Sequence, residues 1–365
     1  MIIDSHVHTF PYMGGASGFA SPAEHLRKIQ RVMYGAINRP RRKRDNSEVT
    51  AQTLWYGVDK GPAGLRDVNF RVGKFGRMEW TVDGEDLWLQ YFAPSLQNNE
   101  SSADYIVAEM DYAGVDVGVL QNAAVYGFLN DFFADCVRQY PDRFIGLAQV
   151  REALAHTDEQ LTELHRSAKS LGMKGLFYHV VGFWDDGYRD NLDDAKYDVF
   201  WEEVRKLGLV LFWDPAGVPF PSAEAYTDQL RRMQRVLERH PGIPNVLVQA
   251  LPLGYYARGG RYELPDIVFA LAESPNFAFE LAYPISYGGI YEYPYAELQT
   301  PIQQLYDWFG PQRLVWGSDM PNVLRFCTYR QSYTYLRHCR FLGPGDLDLI
   351  LGDNLARLFG MVTSA

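Results

Sequence analysis

The chain has 365 residues, 47% of them hydrophobic, and a formal net charge of −10. This length can form one α/β barrel or two domains, and the acidic balance argues against a nucleic-acid partner. No apolar run approaches the ~18 residues of a membrane span. Three scattered cysteines with no Cys-x-x-Cys pair are typical of a reducing compartment. We therefore expect a cytoplasmic protein with neither a nucleic-acid nor a membrane partner.

The first eight residues contain two histidines that could bind a metal ion. Ile2 and Ile3 predict a short strand that begins at the start of the chain, and His6 and His8 follow at alternate positions. Alternate side chains of a strand share one face, so both imidazoles can point to the same place. Two converging imidazoles suit Zn²⁺, Mn²⁺ or Fe²⁺. The competing interpretation is an exposed strand end that happens to carry two histidines.

Residues 10–100 show no sustained alternation of strands and helices. Residues 22–34 predict a helix, and residues 69–92 predict a β-hairpin around the Asp83-Gly84 turn. The basic run at residues 39–44 is more typical of a solvated loop or a subunit contact than of a nucleic-acid site. Because long irregular segments in compact proteins are usually functional, we expect an insertion that acts as a cap or as an interface arm.

A regular pattern begins at residue 101. Short apolar runs predict seven further strands, at residues 115–120, 144–150, 175–178, 209–213, 246–248, 277–281 and 314–316. Helical segments separate most of them, and further helices are predicted at residues 329–340 and 345–358. Strands that alternate with helices pair in parallel. The prediction is a single (β/α)8 TIM-type barrel over residues 1–365, with the insertion after strand 1 and extra helices at the C-terminus.

The strand ends locate the expected chemistry, because the C-terminal ends of barrel strands meet at one face. His179 ends the fourth strand and Asp319 follows the eighth, so together with His6 and His8 they form a plausible metal site of three nitrogens and one oxygen. Taken alone, His179 could be a hydrogen-bonded core histidine, and Asp319 could be a helix N-cap. Their joint occurrence with His6 and His8 favours the metal site.

Four stretches resemble a known family. Residues 4–8 (Asp-Ser-His-Val-His) and 316–321 (Trp-Gly-Ser-Asp-Met-Pro) resemble the amidohydrolase superfamily. The closer likeness is to the branch of aminocarboxymuconate semialdehyde decarboxylase and the aromatic acid decarboxylases, since residues 140–144 and 352–359 also fit that branch. The resemblance spans nearly the whole chain.

The resemblance implies a metal-dependent enzyme that decarboxylates or hydrolyses a small carboxylated substrate. Carried over position by position, His6, His8, His179 and Asp319 would hold one divalent metal. Zinc is the first expectation, with manganese or iron as alternatives. Some relatives bind two metals through a carboxylated lysine on strand 4, but Lys174 lies at the wrong end of that strand. A single metal is therefore the expectation.

Two strand ends depart from the pattern of that branch. Strand 5 commonly ends in a histidine before proline, whereas this chain has Asp214. Strand 6 commonly supplies a histidine that transfers protons, and Gln249 stands in its place here. Glutamine cannot gain or lose a proton at neutral pH, so Gln249 cannot act as a general acid or base. Arg151, just past strand 3, either pairs with a substrate carboxylate or forms an ordinary salt bridge.

Three mechanisms remain open at this point. In the first, Asp214 replaces the missing histidine as the base of a decarboxylase or hydrolase. In the second, the chain is a metal-binding, non-catalytic subunit of a hetero-oligomer with an active paralogue. In the third, Asp214 is an additional ligand of an iron or manganese site in an O₂-dependent hydroxylase (monooxygenase). We also expect a homo- or hetero-oligomer, because the aromatic insertion is suited to an interface.

Overall fold

The structure is a computed structural model that describes residues 1–33, 39–57, 61–216 and 222–361. In those ranges the strands are β1 (Ile3–Val7), β2 (Arg41–Arg42), β3 (Arg71–Val72), β4 (Arg77–Val82), β5 (Glu85–Gln90), β6 (Val117–Leu120), β7 (Phe144–Ala148), β8 (Gly175–His179), β9 (Val210–Asp214), β10 (Asn245–Leu247), β11 (Ala257–Arg258), β12 (Arg261–Tyr262), β13 (Phe277–Leu281) and β14 (Leu314–Trp316).

The helices in the same ranges are α1 (Pro22–Met33), α2 (Ala103–Ala113), α3 (Asn130–Gln139), α4 (Asp158–Lys169), α5 (Asp198–Leu207), α6 (Ala223–Arg239), α7 (Leu253–Tyr256), α8 (Asp266–Ala272), α9 (Tyr283–Tyr287), α10 (Gln299–Phe309), α11 (Gln331–Thr334), α12 (Pro344–Asp348) and α13 (Asn354–Leu358). None of these helices is long and apolar enough to cross a membrane.

Eight strands form a barrel. They pair in parallel in the order β1-β6-β7-β8-β9-β10-β13-β14. The sheet closes where Val7 bridges in parallel to Met320, just after β14. There the Met320 amide donates to the His6 carbonyl at 3.2 Å, and the His8 amide donates to the Met320 carbonyl at 2.7 Å. The predicted (β/α)8 barrel is confirmed, and its closure brings the two ends of the chain together at the strands that carry His6, His8 and Asp319.

The barrel interior is a packed apolar core. Alternate residues of the strands, such as Ile3, Phe177 and Phe212, form one buried cluster inside the barrel. Leu355 and Ala356 of α13 belong to the same cluster, so the C-terminal helix closes the N-terminal end of the barrel. A second and larger cluster packs the outer faces of the strands against the helices. The polar side chains are thereby left to the opposite, C-terminal face.

Local sequence signals explain several helix bounds. The Ser102 side chain accepts a hydrogen bond from the Tyr105 amide and caps α2, which ends at Gly114 with φ 80°. The helix predicted at residues 345–358 is present as α12 and α13, joined by a π-turn over residues 349–353.

The helix predicted at residues 329–340 is much shorter in the structure. Only α11 and a 3₁₀ turn over residues 335–338 form there. The segment is instead fixed by tertiary contacts, because the Trp316 indole donates to the Ser332 carbonyl at 2.9 Å and the Tyr333 hydroxyl donates to the Ala113 carbonyl at 2.8 Å. Contacts with distant parts of the chain have here outweighed local helix propensity.

The insertion between β1 and α2 contains α1 and a four-stranded antiparallel sheet in the order β2-β5-β4-β3. The predicted hairpin is present as β4 and β5, with φ values of 50° at Asp83 and 78° at Gly84. The inner face of the sheet is buried and apolar, and its members are Met78, Trp80, Leu87 and Leu89. The helix predicted at residues 22–34 is α1, although Tyr34 lies outside the described residues. The role of the insertion as a cap or an interface arm stays a prediction.

Candidate metal centre

Three of the four predicted metal ligands converge. His6 lies in β1, His8 follows that strand, and Asp319 follows β14 across the closure of the barrel. Their ligand atoms all lie within 4.8 Å of one another, and all three residues are buried. The Nε2 atoms of His6 and His8 are 3.1 Å apart, and Asp319 Oδ1 lies 3.0 Å from Nε2 of His8. The expectation that both imidazoles point to one place is met.

The second nitrogen of each imidazole is already engaged. Nδ1 of His6 lies 3.0 Å from Oε2 of Glu280, and Nδ1 of His8 lies 2.8 Å from the carbonyl oxygen of Gln121. Because a carbonyl and a carboxylate only accept hydrogen bonds, the proton of each neutral ring sits on Nδ1 and the lone pair on Nε2. Two lone pairs then face each other at 3.1 Å. A positive charge at the two Nε2 atoms stabilises such a pair, and either a proton shared by the rings or a metal ion can supply it.

The electrostatics favour a positive charge at this point. Burial opposes the charged form of His6, but the carboxylates of Glu280 and Asp319 outweigh that effect and raise the pKa of His6 to about 9. Burial also opposes ionisation of Asp319, yet the neighbouring His6 and His8 hold the pKa of Asp319 below its usual value. Two imidazoles and one ionised carboxylate form a donor set that fits a divalent metal such as zinc, manganese or iron.

Glu280 is a site residue that the sequence analysis missed. It lies in β13 with no exposed surface. Besides contacting His6, its carboxylate accepts hydrogen bonds from the Ser5 hydroxyl at 2.6 Å and from the backbone N–H of Gln249 at 2.7 Å. A Cβ atom at Gly317 would lie 2.5 Å from Ser5 Oγ and 2.6 Å from the Glu280 carboxylate. The glycine of the Trp-Gly-Ser-Asp stretch therefore leaves the space that this carboxylate occupies. The one signal in the sequence is a single charged residue within an apolar strand.

The carboxylate of Asp319 is oriented by two side-chain amides. The Asn322 side chain donates to Oδ1 at 2.6 Å, and the Gln249 side chain donates to Oδ2 at 3.3 Å. Gln249, at the position where the family resemblance led us to expect a histidine, thus faces the centre and orients the carboxylate of Asp319. Its backbone adopts a left-handed conformation with φ 71°, as Asp319 does with φ 62°. Such conformations cost energy and cluster at functional sites.

Asp4 shares the parity of His6 and His8 but has other partners. Its carboxylate accepts hydrogen bonds from the Ser318 hydroxyl, from the Ser318 amide at 2.9 Å and from the Tyr329 hydroxyl at 2.7 Å. Burial raises the pKa of Asp4 to about 6, although the bond from Ser318 opposes the shift. Asp4 therefore fixes β1 to the loop after β14, and it supports the two ligand-bearing segments without contacting the ligand atoms.

His179 and Asp214 form a separate pair. They are register partners on β8 and β9, and Nε2 of His179 lies 3.4 Å from Oδ2 of Asp214. In the order of the barrel strands these two lie across the mouth from β1 and β14. Burial lowers the pKa of His179, against the opposing effect of Asp214. The structure does not include His179 in the cluster of three ligands, and its role as the fourth ligand stays a prediction.

Arg151 contacts the insertion. One of its terminal nitrogens, Nη2, lies 4.0 Å from Oε1 of Glu24 in α1, and its guanidinium lies 5.9 Å from the centre of the Phe128 ring. Within the described ranges no contact joins Arg151 to His6, His8 or Asp319. The contacts of Arg151 are those of an ordinary salt bridge, and its role as a substrate contact stays a prediction.

The loop after β6 supplies part of the wall beside His8, and the insertion contacts that loop from behind. The ring of Tyr126 lies 4.5 Å from that of His8, and the Asn322 side chain donates to the Tyr126 hydroxyl at 2.8 Å. Tyr91, at the end of β5, shares a side-chain hydrogen bond with Tyr126, and burial raises the pKa of Tyr91 to about 12. Both phenols therefore stay neutral at physiological pH. The sequence offered no signal for this contact, because it joins segments distant in the chain.

The comparison with protein families identifies the class. The Amidohydrolase family model matches residues 3–361, which is nearly the whole chain. The chain therefore belongs to the amidohydrolase family, as the motifs at its two ends predicted. The centre formed by His6, His8 and Asp319 lies at the C-terminal face of the barrel, where chemistry is expected in this fold.

Individual relatives add narrower likenesses. A 2-amino-3-carboxymuconate-6-semialdehyde decarboxylase from Dictyostelium discoideum is 30% identical over 143 residues, which cover 34% of this chain and 38% of that protein. The match thus spans well under half of the relative's length.

Solved structures share the fold. A probable 2-pyrone-4,6-dicarboxylic acid hydrolase from Acinetobacter baumannii is 16% identical, with 99% of each chain covered and a TM-score of 0.55. A dihydroxybenzoic acid decarboxylase from Polaromonas, solved with bound manganese and an inhibitor, is 18% identical, with 72% of this chain and 87% of that chain covered and a TM-score of 0.52. At these identities the likeness establishes the barrel fold.

Proposed function

We propose that this chain is a metal-dependent decarboxylase of a small aromatic or unsaturated carboxylic acid. The observation that carries the proposal is the convergence of the two imidazole Nε2 atoms and the carboxylate of Asp319 on one buried point. Membership of the amidohydrolase family and the partial match to a curated decarboxylase support it. Hydrolysis of a substrate of the same class would use the same centre, and the assay below separates the two reactions by their products.

His6, His8 and Asp319 would hold the metal, and His179 completes the set in this proposal. In the described parts of the chain, Nδ1 of His179 is buried with no hydrogen-bond partner, and Nε2 faces Asp214 at 3.4 Å. Among the described residues the ring also has a backbone hydrogen bond with Ala216, and none of these contacts occupies Nδ1. A bound divalent metal supplies Lewis-acid polarisation of a substrate oxygen and neutralises its negative charge. Zinc is the first expectation, and manganese or iron would be held by the same donors.

Asp214 handles the proton in this proposal. Decarboxylation breaks the bond between the carboxyl carbon and the substrate, CO₂ leaves, and the electron pair left on carbon must take up a proton. Gln249 cannot provide it, because an amide does not titrate and its side chain is bonded to Asp319. Asp214 is the titratable group beside His179, and its Oδ2 faces that ring while its Oδ1 accepts from the Ala216 amide at 2.8 Å. Oδ2 is therefore the atom that would take a proton from water and pass it to the carbon as CO₂ leaves, so that hydroxide from the water and the vacated carboxylate complete the balance.

The test is turnover by the purified chain alone. The chain loaded with zinc or manganese is incubated with a panel of hydroxybenzoic and unsaturated carboxylic acids, and CO₂ and the decarboxylated product are measured. The proposal expects CO₂ release from at least one acid and none from the His8→Ala variant. Release of a ring-opened or hydrolysed product without CO₂ would replace decarboxylation by hydrolysis. No turnover of any acid by a fully metal-loaded chain would contradict the proposal.

A further inference from the structure

A cleft lined by arginine and aromatic side chains lies outside the metal centre, between the insertion and the barrel. It is a cleft of about 490 Å³ between the outer face of the insertion sheet and the segment that follows β14. We call it the arginine cleft. Its walls include Arg39, Arg41, Glu48, Trp88, Arg325 and Phe326. The volume lies within the range of small-molecule sites.

The arginine cleft carries an excess of positive charge. Arg41 is paired with Glu48, since its Nη2 lies 3.0 Å from Oε1 of that residue. In the described parts of the chain no carboxylate pairs with Arg39 or Arg325, and Arg325 donates its Nε–H to the carbonyl of Asn322 at 3.1 Å. Among the described residues, two guanidinium groups thus share one cleft without a paired carboxylate, although the whole chain has a formal charge of −10. An anionic ligand would supply a negative charge to pair with them.

The neighbouring cations of the same basic run are already neutralised. Arg42 lies 2.9 Å from a carboxylate oxygen of Glu85, and Lys43 lies 2.7 Å from one of Glu79. The run at residues 39–44 is therefore not a general polyanion surface. Of the residues discussed from this run, Arg39 is the one that a ligand in the cleft could pair with. A single available guanidinium in the run favours a small anion over an extended one.

The walls of the cleft also suit a flat ring. Trp88 lies on the outer face of β5, between the buried residues Leu87 and Leu89. Phe326 also lines the cleft, and the guanidinium of Arg325 is 5.1 Å from the centre of its ring. Guanidinium groups beside aromatic rings recognise planar carboxylates through both charge and stacking. A free phosphate would use the arginines but not the rings.

A chain of three contacts connects the cleft to the metal centre. The guanidinium of Arg325 lies 6.0 Å from the ring of Tyr91, Tyr91 is hydrogen-bonded to Tyr126, and Tyr126 stacks on His8. From these contacts we infer that the arginine cleft is a binding site for a small aromatic carboxylate, next to the metal centre and separate from it. The inference concerns binding, so it goes beyond the proposed reaction and does not depend on it.

The test is calorimetric titration of the metal-loaded chain with isophthalate, a planar aromatic dicarboxylate. Arg325→Met and Arg39→Met are the cleft variants, and Arg340→Met, which removes the same charge from an exposed position, is the matched control. We expect binding about tenfold weaker in each cleft variant, the effect of losing one charge-assisted pair. Affinity in the control, and the metal content of all variants, should match the wild type.

Two further ligands separate the contribution of the negative charge from that of the aromatic ring. Cyclohexane-1,3-dicarboxylate has the carboxylates without the aromatic ring, and inorganic phosphate has the charge alone; both should bind more weakly than isophthalate. Equal affinity for phosphate would overturn the aromatic part of the inference. Unchanged isophthalate binding in both cleft variants would place the ligand at the metal centre only, and would overturn the inference itself. Either result leaves the turnover test of the proposed decarboxylase unaffected.

Discussion

The two sides of the barrel mouth differ in how firmly their functional side chains are held. On the side of β1 and β14, His6 and His8 each have a fixed partner on Nδ1, and Asp319 accepts from two amides. On the side of β8 and β9, Nδ1 of His179 has no partner in the described parts, and the contact with Asp214 is a long 3.4 Å. We infer from this difference that the first side would anchor a cation, whereas the side chains of the second have fewer fixed partners and can adjust to a ligand.

The largest expected effect is on turnover, from Asp214→Asn. Asparagine keeps the size of the side chain but cannot carry the proton, so kcat should fall by about 10²–10⁴-fold, the range for removal of a general acid or base. Metal content should not change, because the anchoring side is untouched. The control is Asp228→Asn, which alters an exposed carboxylate paired with Arg232 on α6. Activity that survives in Asp214→Asn would remove this residue from the mechanism.

A smaller effect is expected from Glu280→Gln on metal affinity. Glutamine has nearly the same shape, but it lacks the negative charge that holds His6 through Nδ1. Loss of such an outer partner typically weakens metal binding by roughly tenfold to a hundredfold. Competition with a chromophoric chelator measures the change. Wild-type affinity in this variant would show that the anchoring side owes little to Glu280.

The smallest effect concerns stability and comes from the adjustable side. Glu152 accepts a hydrogen bond from the His179 amide at 3.2 Å, and burial raises the pKa of Glu152 to about 8. The folded chain therefore keeps this proton over a pH range in which the unfolded chain has lost it, and the free energy of unfolding should fall as pH rises from about 4.5 to about 8. The slope from this one group is at most about 1.4 kcal/mol per pH unit.

Glu152→Gln removes that titration and keeps an acceptor for the His179 amide. In urea titrations of the metal-free chain across this pH range, the variant should gain stability over the wild type as pH rises. Glu159→Gln, an exposed substitution on α4, should follow the wild type. Parallel pH profiles for the wild type and Glu152→Gln would show that Glu152 is ionised in the folded chain.

Sequence patterns predicted the barrel because each strand is a short apolar run and most helices have clear end signals. They also predicted the convergence of His6, His8 and Asp319, since parallel strands place their ends at one face. They did not predict Glu280, whose partners lie on β1 and after β10 and are brought near only by closure of the barrel. Nor could they show that Gln249 would bond to Asp319, because its left-handed backbone conformation, φ 71°, has no signature in the sequence.

The insertion was predicted only in part for a related reason. The hairpin had an Asp-Gly turn and alternating residues, but β2 is a two-residue strand inside a basic run and has no strand pattern. The approach of Tyr91 to Tyr126 depends on how that sheet packs against the barrel, and so does the position of Arg39 and Arg325 in the cleft, where neither has a carboxylate partner among the described residues. Such contacts between distant segments are set by tertiary packing.

The most direct test of the central claim, that His6, His8 and Asp319 anchor the metal, is metal content by elemental analysis of the untagged chain purified without chelators. The wild type should contain about one zinc, manganese or iron per chain, as the donor set predicts. His8→Ala should lose it, whereas His165→Ala, which removes a half-buried histidine paired with Glu203, should retain it. Full metal content in His8→Ala would show that His8 does not hold the metal.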